Sequence, residues 1–283
     1  MTNPHEVDTK DPIAVAEELK GLFREDEGKD SITLIDHAVG DVVSMFGGGW
    51  PGYQPIDMEY HDLDHTLQVT VCMAHMLDGY RREGGKPALG VRDRELALLA
   101  ALLHDTGFLK QEGDLSGTGA KYTFIHEKRS CAFARKYLQG MGITETEIGD
   151  ICSAVMCTGP RNRIGNVAFR SAEARQVALF LVTADYLAQM SAADYLEKLP
   201  LLYLEFVEAY GHEGIPPEDR PFQSLGGLLE ATPGFWRDYV LPLLDGEAEA
   251  VYRYLSPKGI ANPYLQSIDE NIGELERRLK EQV

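Results

Sequence analysis

The dipeptide His104-Asp105 closes an unbroken apolar run, Leu96 to Leu103, with His65 upstream and Asp185 downstream as candidate metal-binding partners. A desolvated His and Asp can satisfy each other, bind solvent or bind a cation, and only a cation explains why further His and Asp residues recur in similar settings. In YHDLDHTLQV, His61 and His65 are four apart, so on a predicted helix they lie one turn apart on one face. An HxxxH pair chelates zinc in peptidases, but those require HExxH with a Glu base, and Asp62 holds that position here. Asp185 lies in QVALFLVTADYLAQM, a predicted helix that is apolar at Val177, Phe180, Leu181, Ala184 and Ala188. An acid beside such a face is costly to bury without a cation or donors. Taken singly, each residue has a plainer reading: exposed histidines on an amphipathic helix, or an edge carboxylate beside solvent or an Arg. Together, two imidazoles and two carboxylates form a mixed N/O set suited to Mn, Fe, Co, Ni, Zn or Mg, without the thiolates of a closed structural zinc site.

The elements that must position these residues read as helices from end to end. The run before His104 has no Gly, Pro or β-branched residue and is apolar on nearly every side, which predicts a buried helix over 93–105. Asp11-Pro12 predicts a helix start running to about Phe23, and Thr232-Pro233 and Asn262-Pro263 repeat the device. Thr144 with Glu147 is a capping box ahead of Ile148, Ile151, Cys152 and Val155. Further helices are expected over about 30–46, 59–82, 126–139, 173–190, 192–210 and 247–255, and a last one over roughly 263–282 carries Leu265, Ile268, Ile272, Leu275 and Leu279 on one stripe. That stripe is expected to pack within the chain rather than on a second subunit. With no alternating strand pattern, the fold class is all-α, a bundle of about ten helices. Three Gly/Pro-containing connections, 47–55, 113–123 and 211–227, are the expected loops beside the site, and 108–125 and 211–232 the expected source of specificity.

Composition limits the function classes. With 44% apolar and 25% charged residues the chain reads as an ordinary globular protein, neither disordered nor fibrous. The longest apolar run is far below the roughly 20 residues that span a bilayer, and MTNPHEVDTKDP lacks the apolar stretch of a secretory signal, so no membrane partner and a cytoplasmic location are expected. Cys72, Cys131, Cys152 and Cys157 show no CxxC spacing, which suggests buried, reduced thiols. A net charge of -18 argues against a nucleic-acid polymer as partner and requires that a phosphorylated substrate meet local cations.

The order of His65, then His104-Asp105 about forty residues on, then Asp185 about eighty after that, resembles the HD-domain metal-dependent phosphohydrolase superfamily over roughly residues 55–190. The resemblance implies one helical domain over 1–283, with a metal-site core at 55–190 and C-terminal helices, 191–283, packed on it. It makes His65, His104, Asp105 and Asp185 ligands of a divalent metal, with Asp105 placed to bridge a second ion. YHDLDHTLQV further resembles the YHNxxH motif of cyclic-nucleotide phosphodiesterases, which carries the general-acid role to His61. By the same resemblance His126 is a candidate for a second metal or the substrate phosphate, while Lys110 and Lys121 are the nearest cations for a phosphate. Two departures narrow this: Phe108 stands where those phosphodiesterases have the last His of HDxxH and other relatives have the Lys of HDxGK, and ICSAVMCTGP offers Cys157 where firmly two-metal members have a His. The loop SGTGAKYT lacks GK[ST] and follows no strand, so it is not a phosphate-binding P-loop. The expected function is metal-dependent hydrolysis of a phosphomonoester or phosphodiester of a nucleotide or similar small molecule. Alternatives are a di-iron oxygenase on the same scaffold and a non-catalytic nucleotide-sensing module; a homodimer is compatible with the last helix.

Overall fold

The computed structural model describes residues 7–23, 29–159, 161–256 and 261–281. Residues 1–6 of the polar N-terminal segment, Pro160 of ICSAVMCTGP and the last residues beyond Glu281 lie outside them. Helix α1 (Pro12–Phe23) starts where the Asp11-Pro12 signal places it, with Asp11 Oδ1 accepting the Ile13 N–H at 2.9 Å. Helix α2 (Lys29–Phe46) follows and packs with α1 on the helices that carry the site.

Helix α3 (Leu63–Arg82) begins later than the expected residue 59. Asp62 is its N-cap, accepting the His65 N–H at 2.8 Å, so the backbone turns into the helix only after His61. His61 and His65 therefore do not share a helical face, contrary to the HxxxH expectation.

Helix α4 (Val91–Leu103) is buried along all of Leu96–Leu103 and packs against α2, α3 and two later helices, α6 (Glu145–Met156) and α7 (Ala172–Ser191). It stops at His104 because the side chains that follow capture its free carbonyls: Thr106 Oγ1 donates to Leu103 O at 2.7 Å, and Ser130 Oγ donates to His104 O. A 3-10 turn, Thr106–Phe108, follows. Gly107 is required there, since a Cβ would lie 1.9 Å from the His126 carbonyl oxygen of helix α5 (His126–Leu138). The Thr144–Glu147 capping box opens α6 as expected.

The C-terminal part comprises α8 (Tyr195–His212), α9 (Leu225–Gly234), a π-helical turn (Phe235–Val240), α10 (Leu241–Asp245) and α11 (Pro263–Glu281). Two expectations fail in it. Thr232-Pro233 does not start a helix: α9 runs through Pro233, and the missing N–H is followed by the wider π turn. In place of a helix over 247–255, Glu249 and Ala250 take positive φ, 54° and 50°, which confines the helical segment to a 3-10 turn at Val251–Leu255. Asn262 does cap α11, its Oδ1 accepting from Tyr264 and Leu265 N–H.

The stripe of α11 packs on α7 and α9, burying Ile268, Ile272 and Leu275. One continuous apolar core runs from Val15 to Leu275, and all four cysteines are buried and free. The fold is an all-α bundle; among the described residues there is no strand, only an isolated bridge between Tyr53 and Gln111. No helix among them is long and apolar enough to cross a membrane.

Candidate metal centre

Four elements bring the sequence-predicted ligands together: the first turn of α3, the end of α4, the middle of α7 and the start of α5. His65 Nε2 lies 3.4 Å from Asp105 Oδ2 and 3.3 Å from Asp185 Oδ1, and His104 Nε2 lies 3.3 and 3.8 Å from the same two oxygens. Donors bound tetrahedrally at ~2.1 Å are about 3.4 Å apart, so these separations match the edges of a single coordination sphere. His65, His104 and Asp185 have ligand atoms all within 4.8 Å of one another and can hold a metal ion. Asp105 Oδ2 also faces both rings, and its Oδ1 lies 3.7 Å from His126 Nε2.

The donor atoms fit a cation by a second criterion. His65 Nε2, His104 Nε2 and Asp105 Oδ2 are buried without a hydrogen-bond partner, a state that costs free energy unless something fills it. The far side of the rings is already arranged. His104 Nδ1 meets Ala101 O and His126 Nδ1 meets Thr123 O, each at 2.7 Å. A carbonyl can only accept, so the proton sits on Nδ1 and the Nε2 lone pair is left for a metal. Without an ion, burial works to lower the His104 pKa, but Asp105 and Asp185 outweigh it and hold it at about 9. Burial likewise works to raise the Asp105 carboxyl, and the surrounding imidazoles hold it well below the usual carboxylate range.

His61 sits beside this group. Its Nδ1 is 2.6 Å from Glu205 Oε2, while Glu205 Oε1 accepts the Tyr60 N–H at 2.9 Å. Burial works to lower the His61 pKa, but Glu205 reverses the balance and raises it. Glu205 is the functional residue the sequence did not disclose: it lies on α8, and nothing in its local pattern separates it from other acids of an amphipathic helix.

Phe108, the departure from both family motifs, is buried with the His126 ring stacked on it at 4.6 Å and the His61 ring at 4.9 Å. It spaces the two imidazoles instead of supplying a ligand or a charge. Asp62 is committed to the α3 cap and to Lys198 Nζ at 3.0 Å, so it is no general base of a peptidase. Cys157 turns its Sγ to Ser153 O, and burial pushes the thiol up to about 12, so it adds no ligand.

The candidate cations Lys110 and Lys121, and the arginines near the motifs, are engaged elsewhere. Lys110 is paired with Asp57 and donates to Gly117 O; Lys121 is paired with Asp114 and donates to Ser116 O. Arg129 ties down the turn after Asp105 by donating to Gly107 O and Leu109 O. Arg161 lies over Phe124, and Arg163 pairs with Glu247.

A cleft of about 200 Å³ opens over His61, Asp105, His126 and Asp185. The expected stretches contribute Phe108, Thr123, Phe222, Leu228 and Thr232 to it, and α8, unexpectedly, contributes Leu199, Leu202 and Phe206. A larger groove of about 740 Å³ lies between residues 7–10, α3, α7 and α11; among the described residues lining it there is no histidine, and its one lysine, Lys10, is paired with Asp194. No protein-family model matches this chain and no curated protein matches it, so the chemistry of the cleft is what speaks to function.

Proposed function

We propose that the chain is a metal-dependent phosphohydrolase acting on a phosphate ester of a small molecule. One observation carries the reading: three buried donor atoms without a hydrogen bond, on His65, His104 and Asp105, face one another and Asp185 at 3.3–3.8 Å, and Asp105 and Asp185 line a cleft. A divalent cation held there would supply positive charge to the phosphoryl oxygens and a water of lowered pKa. Mn, Fe, Mg, Zn, Co and Ni all suit the donor set.

The chain's own residues account for the rest. Glu205 fixes His61 through Nδ1, so the proton available for transfer is the one on Nε2. The raised pKa favours the charged form of that ring, the form a general acid needs before the leaving oxygen departs. When the phosphorus–oxygen bond breaks, the Nε2 proton passes to the departing alcohol oxygen. Asp105 faces the His65 and His104 rings with one oxygen and His126 with the other, which supports a second, weaker ion between Asp105 and His126. Phe108, packed between the His61 and His126 rings, holds both in place.

The test is to purify the protein with Mn, measure metal stoichiometry, and assay generic phosphoesters beside the Asp105→Asn variant. Bound metal with hydrolysis that depends on Asp105 is the expected result. A protein that takes up no metal, or hydrolysis unchanged in the variant, overturns the proposal.

A further inference from the structure

The walls of the cleft differ from its floor. Above His61, Asp105, His126 and Asp185 it is enclosed by Leu199, Leu202, Phe206, Phe222, Leu228 and Phe235, the last 41% exposed at the mouth. Among the described residues lining it there is no Lys or Arg. Lys110 and Lys121, the cations closest in sequence, are held by Asp57 and Asp114 and do not line it.

Apart from the Tyr195 hydroxyl, the neutral polar side chains in the walls are already committed. Thr123, Thr158 and Thr232 each donate their hydroxyl to a backbone carbonyl of their own turn, at 2.7, 2.9 and 2.8 Å. Gln189 accepts from the Tyr60 hydroxyl and donates to Asp185 O. The hydroxyl of Tyr186 shares a hydrogen bond with Tyr239. The polar edge of a nucleobase would therefore meet few unengaged donors, and polar groups buried without partners cost affinity. A polyphosphate would bring several negative charges to two carboxylates, with no Lys or Arg in the walls to meet the charges beyond the phosphoryl group at the floor. The volume, about 200 Å³, is also below the ~300–1,000 Å³ usual for larger ligands.

We infer that the substrate is a monophosphate ester of a compact apolar alcohol, with a single ring or a branched chain, and not a nucleoside polyphosphate. This rests on the phosphohydrolase reading for the reaction but on the walls alone for the substrate. The phosphoryl group lies on the His/Asp floor and the apolar group fills the space between α8 and α9. Hydrolysis joins the water oxygen to phosphorus and returns the alcohol, protonated by His61, to the apolar walls.

The test is calorimetric titration of the full chain with Mn present, using methylphosphonate, phenylphosphonate and a methylene-bridged triphosphate nucleotide. Phenylphosphonate should bind at least about tenfold more tightly than methylphosphonate, because its ring leaves water, and the triphosphate should bind more weakly than either. Leu202→Lys, a half-buried wall position outside the catalytic group, should erase the preference for the ring with metal content unchanged; Phe222→Ala serves the same purpose if the lysine variant does not fold. Phenylphosphonate binding no tighter than methylphosphonate, or tightest binding of the triphosphate, overturns the inference. Selective phenylphosphonate binding without hydrolysis of phenyl phosphate upholds the preference of the walls for a compact apolar monophosphate but overturns the phosphohydrolase reading, and with it the role of that ligand as substrate.

Discussion

Two clusters of polar residues, one built around the buried Lys110 and Lys121 and one around the buried His104 and Asp105, have opposite accounts. In the loop 110–122, Lys110 with Asp57, Lys121 with Asp114, and Thr118 with Glu208 all meet partners, the Thr118 hydroxyl reaching Glu208 Oε2 at 2.7 Å. Beside the cleft, His65, His104 and Asp105 leave ring nitrogens and a carboxylate oxygen buried without a hydrogen bond, facing one another at 3.3–3.4 Å. The first cluster is complete within the chain and shapes a loop. The second is complete only with something from outside. Burial of charge alone does not mark a site; a shared deficit of partners does. His75 and Asp78 likewise have buried nitrogen or oxygen atoms without a hydrogen-bond partner, each facing one ion-pair partner, Glu18 and Arg82; what sets the other group apart is that two rings and two carboxylates face one another at 3.3–3.8 Å.

The contrast can be broken in several ways. The largest effect belongs to His104→Ala, which removes a ligand from the incomplete cluster: metal content by elemental analysis should fall to none, and hydrolysis to background. Next comes His61→Ala, which should keep its metal and lose about 10²–10⁴ in kcat, the usual worth of a general acid. If it loses metal as His65→Ala does, His61 is a ligand and not the acid.

Proton competition is third. His104 is held at about 9, above its ordinary 6.5, and its Nε2 proton must leave before a cation can bind. Metal affinity should therefore rise about tenfold per pH unit between ~6.5 and ~9 and then level off. The metal-free protein should behave oppositely. A raised pKa stabilises the fold below the unfolded value and the gain is lost as pH climbs through the folded one, so its melting temperature should fall over that interval.

The smallest effect belongs to the complete cluster. Lys121→Met should cost stability, since it leaves Asp114 without its ion-pair partner. If the proposed hydrolysis is present, the folded variant should keep kcat/KM within about twofold, and a larger loss would place Lys121 in the chemistry after all.

The legible part of this molecule was what local pattern encodes. His65, His104-Asp105 and Asp185 could be picked out because polar residues interrupting apolar helices need a reason, and the helix limits at Pro12, Thr144 and Asn262 because caps are local. The start of α3 was misread although Asp62 is a good capping residue: an amphipathic pattern running back to residue 59 hid the boundary and put His61 on the helix. Thr232-Pro233 misled because a proline can open a helix or be carried inside one, and the choice depends on packing. Glu205 was out of reach altogether. It is paired to His61 across 144 residues of chain, a relation fixed only by how α8 lies over the site. Phe108 was visible as a missing ligand, but its place between two imidazoles was not.

One wall of the cleft is built differently from the others. The helical segment that carries Phe235 contains Pro233 and passes into a π turn over Phe235–Val240, so its ladder of backbone bonds is interrupted within one turn of the mouth. In hydrogen–deuterium exchange, amides of that turn should open by local fluctuation well before those of α4, whose apolar run is wholly enclosed. A ligand seated against Phe235 should slow exchange there first. The entrance would then report occupancy through the protein's own amide protons, with no label attached to substrate or metal.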